Sequence, residues 1–564
     1  MQGKNQKGVD APDEAAPTAR IGLSLKALFR RVFSGRTARM ESLEKNSVLR
    51  VYPQIPVITA EMTLPISFVV IRFSDEYTHN FFRSESAQEP LNEVIEVDNT
   101  SNLYYNNLSR AIAAGLERAH NDIVVVVHED VLLLDGWQSQ FQQTLHQLEE
   151  HDPAWGMLGS VGWNASGEFI GHWSDPHQFK NTFKDSQCDF QEAVKLDEQL
   201  LIFHRDRVPN LDGNLPGIHF LGEDLQHELA RIGLKCYAVN APTIHKYADK
   251  EGQIIISSNQ SEKISDRESA TYLADEACCK DYIRWKYPNL FSPADAVVAS
   301  RSLGANQISQ SRQPVIVVCK GELESALFHK IAWDTGVFFP GESGEESELM
   351  ITLYKMIIEK FRCHAPWQSG NTADTLQSSV AQMLGGLAPG QPWGFVFPES
   401  ILVLPELRDV FPSARYVYFQ RDPLAICLGE THRTARLDNH IGRIALPEAY
   451  RYLGMSRARI LDDDALDHMV HTTLHQLELM NQHQLAQVGI GSELLTLRFE
   501  DFLENPASAM ERFSRWLGGS KCSGAIAPLE IEECLKVPKD RYPTARISAA
   551  AEKLVRIRET LGYI

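Results

Sequence analysis

The stretch VVVVHEDVLLLDGW, residues 124–137, sets three polar, metal-capable side chains (His128, Glu129 and Asp130) inside one of the most apolar parts of the chain. Ile123 to Val127 lead into the triplet and Val131 to Leu134 follow it. An unbroken aliphatic run of this length reads as a strand buried on both faces, the habit of parallel sheets in α/β proteins. Its polar end then emerges beyond the carboxyl edge of the sheet, where open α/β sheets bind ligands. Working outward, PISFVVIRF (65–73) and LNEVIEVDN (91–99) are strand candidates, and LYYNNLSRAIAAGLERA (103–119) is a helix candidate. Further on, EDLQHELARIGL reads as a helix and KCYAVNAP as a strand. This rhythm predicts an α/β fold with a mostly parallel sheet and helices on both faces.

A chain of 564 residues is too long for one ordinary core, so more than one domain is expected. The first domain runs over 61–292; residues 293–313, small, polar and weakly periodic, read as a linker; a second α/β pattern begins at QPVIVVCKG and fills 314–564. Residues 1–60 form a polar and basic N-terminal segment. Within it, Ile21, Leu25, Leu28, Phe29, Val32 and Phe33 recur at helical spacing over about 20–39, with Lys26, Arg30, Arg31, Arg36 and Arg39 between and after them. Such a basic amphipathic helix can lie on an anionic membrane or pack on a protein surface. The net charge of −19 excludes a general nucleic-acid binder. Nine cysteines, with no CxxC pair, suggest reduced thiols rather than a disulfide framework or zinc ribbon. No apolar run reaches the roughly 18–20 residues that span a bilayer, and the first residues lack a signal-peptide core. These features predict a cytoplasmic protein, peripheral at the inner face of the membrane if the basic helix docks there.

Carboxylates at the end of a buried strand can hold Mg²⁺ or Mn²⁺, which in turn neutralises a diphosphate. The bland alternative is an acidic turn cap. The triplet is followed, in order, by VKLDEQLLIFHRD (194–206) and LDGNLPGIHFLGEDLQHELARIGLKCYAVNAPTIHK (211–246). Together these stretches resemble the GT-A glycosyltransferases of the family-2-like group, over about residues 65–250. The resemblance implies Asp130 as the metal-binding acid, with His128 its companion and His245 a late metal ligand. It implies Asp224 as the base that deprotonates the acceptor hydroxyl, with Glu223 as fallback. It places Asp98 at the nucleotide, Asn106 at a helix start beside it, and Asp197 and Glu198 near the sugar or acceptor. Asp224 can equally be read as a helix N-cap, and His245 as an ordinary hydrogen-bonding residue.

In the second domain, VIVVCKGELESALFHK (315–330) has the strand–loop–helix layout that cradles anions at helix N-terminal amides. With FPSARYVYFQRDP (411–423), RFEDFLENP (498–506) and a terminal LGY, it resembles the PAPS-dependent sulfotransferases. The resemblance implies an anion site at Lys320, Ser325 and Arg421. The charges depart from the family: Glu322 falls where its first loop has Arg, Val396 and Glu399 replace a Lys and an Arg, and Gly429 replaces a Ser. Carboxylates in place of cations repel a polyanion by a few kcal/mol when partly desolvated. PAPS is therefore doubtful, and a degenerate domain is expected unless Lys320 carries the site. The leading expectation is a metal-dependent, inverting glycosyltransferase moving a sugar from a nucleotide sugar to a glycan or lipid-linked acceptor. The alternatives are a bifunctional glycosyltransferase and sulfotransferase, or a non-catalytic assembly protein.

Overall fold

In the computed structural model the IVVVV run lies near the middle of a seven-stranded sheet. The structure describes residues 64–73, 79–105, 107–174, 179–184, 186, 188–245, 270–288, 314–340, 345–363, 375–377, 380, 384, 391–489, 493–518 and 541–564. Segment 1–60, its basic helix, the linker 293–313 and Asn106 lie outside them. The first sheet region contains β1 (Ile66–Arg72), β2 (Glu93–Asp98), β3 (Ile123–His128), β4 (Val131–Leu133), β5 (Met157–Gly159), β6 (Val161–Trp163) and β7 (Phe169–Ser174). It continues with β8 (Phe179–Asn181), β9 (Phe190–Ala193), β10 (Lys195–Leu196), β11 (Leu200–His204), β12 (Cys236–Val239) and β13 (Thr243–His245). The main sheet has the order β2-β1-β3-β11-β5-β12-β9.

Both faces of the sheet's centre are covered, which explains why β3 and β11 show no polar alternation; the edge strand β2 does alternate, with Glu96 and Asp98 exposed. Ile66, Phe68, Val70, Val125 and Val127 face one core, shared with Trp137 and Phe141 of α2 (Trp137–His151). Val69, Ile71, Val124 and Val126 face another, closed by α1 (Leu108–Leu116) and α3 (Leu221–Arg231). Helix α1 approaches closely at Gly115, where a Cβ would stand 2.2 Å from Val69 Cγ1. The expectation of a mostly parallel sheet needs correction. β1 is parallel to β2 and β3, and β12 to β5, but β11 is antiparallel to both its neighbours and β9 to β12. Parallel neighbours need a long crossover, usually a helix. From β5 to β11 the described chain is instead a run of short strands, so its pairings close antiparallel.

Helix α4 (Ala270–Lys286) divides its faces between two cores. Cys279, Tyr282 and Ile283 pack with the first sheet, whereas Ala274 and Cys278 belong to the core of the second region. That region is built on four strands, β14 (Val315–Val318), β15 (Gly394–Val396), β16 (Arg415–Gln420) and β17 (Leu494–Arg498), all parallel in the order β15-β14-β16-β17. Around it lie α5 (Glu322–Thr335), α6 (Glu345–Arg362), α7 (Gly442–Tyr452), the 25-residue α8 (Ala465–Gly489), α9 (Pro506–Trp516) and α10 (Thr544–Thr560). Across the two regions, Asp275 of α4 meets Arg362 of α6 at 2.8 Å with both side chains buried, and Lys355 pairs with Asp281. The sequence boundary at 292 thus assigns to one domain a helix that the tertiary structure shares.

Candidate functional site

His128 is the last residue of β3, and its amide is held by the Gln199 carbonyl at 3.2 Å. Asp130 follows in the turn to β4. β4 pairs antiparallel with β13 in a register that sets His245 opposite Val131, beside Asp130. Two short strands far apart in sequence therefore bring one ligand-bearing turn against another. Donor atoms of His128, Asp130 and His245 lie within 4.8 Å of one another, and His245 Nε2 is 3.2 Å from Asp130 Oδ2. Among the described residues no other group of this kind occurs. Two imidazoles and one carboxylate are a donor set typical of first-row transition metals and a poor match for Mg²⁺, which prefers oxygen ligands in an octahedral shell; Mn²⁺, although oxygen-loving and first, hence weakest, in their affinity order, tolerates such mixed sets better than Mg²⁺.

The turn between β10 and β11 sits at the same edge, since Leu200 is in register with Val127. In it, Asp197 accepts from the Gln199 amide at 3.1 Å, and Glu198 accepts from the Leu221 amide at 3.0 Å, where α3 begins. Burial, and after it the neighbouring Asp197 charge, push the Glu198 carboxyl up to about 7. The residue before α3, Phe220, has φ 64°, a left-handed conformation that costs a non-glycine residue about 1–3 kcal/mol and clusters at functional turns. Glu223, one turn into α3, lies 3.4 Å from Lys195 and stays partly exposed. Asp98, at the end of β2, is used locally: it pairs with Arg72 at 2.9 Å and accepts from Thr100 Oγ1 at 2.8 Å.

Asp224 departs from the role that the sequence suggests. Its side chain is wholly buried, and Oδ1 accepts from Lys286 Nζ at 2.6 Å and from the Tyr287 hydroxyl at 2.8 Å. The same ammonium reaches Asp212 at 2.9 Å and Glu228 at 3.6 Å. Burial raises the Asp224 carboxyl, and the Lys286 charge opposes that rise. This carboxylate is held under α4 by its two donors, Lys286 and Tyr287. It fastens α4 to α3, and of the adjacent pair Glu223 is the acid with access. Lys286 and Tyr287 were missed because nothing in RWKYP announces a partner sixty residues back.

The second region repeats the strand–loop–helix layout after β14. Lys320 is almost fully buried and donates to Thr434 Oγ1 at 3.0 Å, with His432 Nδ1 at 3.4 Å. Arg421, at the end of β16, packs over the Phe499 ring at 4.8 Å and faces Glu324 at 3.7 Å. Ser325 is half-buried, with its amide bonded to the Gly321 carbonyl. Among the residues whose side chains are described, the acid that meets Arg421 is Glu324; the Glu322 side chain lies outside them. The Glu324 carboxylate folds back over the loop, so that a Cβ on Gly321 would stand 2.2 Å from Glu324 Oε2. Burial raises the Glu324 carboxyl, and the Arg421 charge counters it. Glu399 is also buried and is paired, to Arg433 at 3.1 Å, with His432 Nε2 3.6 Å away. Burial, then the charges of Lys320 and Arg433, hold His432 well below its usual range and therefore neutral. Within this cluster each carboxylate has a guanidinium partner.

The described chain is an α/β protein built on two main sheets, with His128, Asp130 and His245 gathered at the end of the first and a cluster of paired charges at the second. No protein-family model and no curated protein matches the chain. Among solved structures it is similar to the sulfotransferase STF9 from Mycobacterium avium, at 10% identity and TM-score 0.31, over 51% of this chain and 85% of that one. A sulfotransferase from Alicyclobacillus acidocaldarius gives 14% and 0.24, over 43% of this chain and 95% of that one. The sulfotransferase domain of the curacin biosynthetic pathway gives 12% and 0.25, over 43% and 98%. Likenesses this slight decide neither fold nor activity.

Proposed function

We propose that the first domain is a metal-dependent glycosyltransferase that moves a sugar, with inversion, from a nucleotide sugar to a glycan or lipid-linked acceptor. The observation that carries this reading is the meeting of His128, Asp130 and His245 beyond the carboxyl end of β3. A divalent cation held there would supply charge neutralisation at a leaving diphosphate. Glu223 is the base in this reading, because it is partly exposed at the start of α3 while Asp224 is sealed by Lys286. Its carboxylate takes the acceptor's proton as the acceptor oxygen bonds to the anomeric carbon. The bond from that carbon to the diphosphate oxygen breaks, and the electron pair leaves with the diphosphate. Glu198, with its carboxyl near 7, holds the α3 start in place. The second domain serves as scaffold in this reading, since Glu324 already faces Arg421, one of the basic residues of the anion site that the resemblance implies. No described helix is long and apolar enough to cross a membrane, and contact of segment 20–39 with a membrane-borne acceptor belongs to the same proposal.

The test is Asp130→Ala, assayed with a panel of nucleotide sugars and with Mn²⁺ binding followed by electron paramagnetic resonance. Loss of a first ligand should cost at least as much as loss of an outer-shell partner, so Mn²⁺ affinity and transfer should fall by about 100-fold or more, with the melting temperature kept. Unchanged transfer in this variant would reject the proposal.

A further inference from the structure

Strand order in the first sheet reverses between β1 and β3, because the chain goes from β1 outward to β2 and then back to β3 on the other side. In an open α/β sheet the ligand crevice opens at such a reversal, outside the carboxyl ends. The β3 side of this crevice carries His128 and Asp130. The β1 side carries Arg72 and Phe73, and next to it the β2 end carries Asp98 and the turn through Leu103.

The second domain covers the β1 and β2 ends. The Arg443 guanidinium, at the start of α7, stands over the Phe73 ring at 4.5 Å. Its Nε donates to the Leu437 carbonyl at 2.8 Å, which fixes its direction. Three residues along α7, Leu446 packs with Tyr450, Ile460 and Leu103 in one buried cluster. Arg457 donates to the Leu103 carbonyl at 3.5 Å. In the same seam Asp275 is pinned by Arg362 at 2.8 Å, with His219 at 3.7 Å, and the rings of Tyr272 and His440 meet at 5.8 Å; Arg443 is close enough for its charge to help lower the Asp275 carboxyl. The α7 contact is thus part of a polar and apolar seam, and it falls on the ends of β1 and β2.

We infer that the second domain forms the outer wall of the nucleotide half of this crevice, with Arg443 a positioning residue for a nucleoside diphosphate. This rests on the donor-site reading above. Arg443 acts by holding Phe73 and the β1 end, while the ligands at β3 lie across the crevice. Loss of its contact should therefore weaken nucleotide binding without weakening the metal site.

The experiment uses the full chain as wild type, Arg443→Ala, Arg443→Lys, Phe73→Leu and the Arg443→Ala/Phe73→Leu double variant. Binding of UDP and GDP with Mn²⁺ is measured by calorimetry, Mn²⁺ alone by electron paramagnetic resonance, and donor KM and kcat by transfer. For a desolvated cation–π contact the nucleotide Kd and donor KM should rise about tenfold in Arg443→Ala, with kcat within about twofold and Mn²⁺ affinity unchanged. Phe73→Leu should behave alike, the double variant should add little to either single one, and Arg443→Lys should recover part of the loss. If Arg443→Ala leaves Kd and KM unchanged while the wild type binds nucleotide, the wall is wrong and the donor site stands. If the wild type binds Mn²⁺ but neither nucleotide, both fall together. An equal loss of Mn²⁺ affinity would also overturn the inference, since it would mean general loosening of the crevice.

Discussion

The carboxyl ends of β3 and β14 occupy comparable places in two α/β sheets and handle charge in opposite ways. At β3, a carboxylate and two imidazoles from different strands converge on a shared point. At β14, Glu324 turns back onto its own loop toward Arg421, and Glu399 takes Arg433. The first gathers imidazoles with a carboxylate, His245 Nε2 standing 3.2 Å from Asp130; the second gathers guanidinium groups with carboxylates, Arg421 standing 3.7 Å from Glu324. Topology alone does not make a site. What matters is which groups it brings together, and how costly it is to remove one partner of a buried pair.

Predictions that break this contrast come in descending size. Asp130→Ala, with its loss of two orders of magnitude or more, is the largest. Next is Lys286→Met, which leaves Asp212, Asp224 and Glu228 without their common ammonium. Removing one partner from a buried charge cluster costs about 3–5 kcal/mol, and chemical denaturation should show that loss in the first domain. Asp224→Asn sharpens the point: it should lower stability while leaving kcat near wild type. A collapse of kcat in a well-folded Asp224→Asn protein would return the base to Asp224.

Glu324→Gln strips Arg421 of its anion and should destabilise the second domain by about 3 kcal/mol. Inorganic phosphate or sulfate, binding the folded state alone, should then raise the melting temperature of the variant more than that of the wild type. Equal responses would mean that the carboxylate does not fill an anion position. The smallest effect is acid sensitivity. His471, His475 and His483 of α8 are buried, and burial holds each near 4, below the ordinary 6.5. Between 4 and 6.5 the unfolded chain binds more protons than the folded one, so stability is full above 6.5 and falls as pH drops through this window. From pH 7 to 6 the three together should cost about 2 kcal/mol, read as earlier denaturant unfolding of the second domain. A flat profile over that interval would refute the assignment.

Much of the first site was legible. An unbroken aliphatic run marked β3 as buried on both faces, and the polar triplet after it marked a strand end. His245 was named from a family resemblance, and its ring lies beside Asp130. What the sequence could not show is the surroundings of residues whose role depends on a distant partner. Asp224 looks like a base in GED because the sequence does not show Lys286 closing over it. Glu324 was passed over because a linear comparison cannot tell which residue of a helix turn folds back on the loop. The same blindness hid the α4 seam, where one helix serves two cores.

The sequence by itself determined the α/β class, the buried strands, and the residue types available at each strand end, because local burial and hydrogen bonding leave their marks in periodicity and composition. Only the tertiary structure decided which acids are exposed and which are neutralised, that part of the first sheet runs antiparallel, and that the second domain lies over the ends of β1 and β2. Those outcomes depend on pairings across tens to hundreds of residues. Coulomb and packing energies act on distance in space, and distance along the chain does not record it.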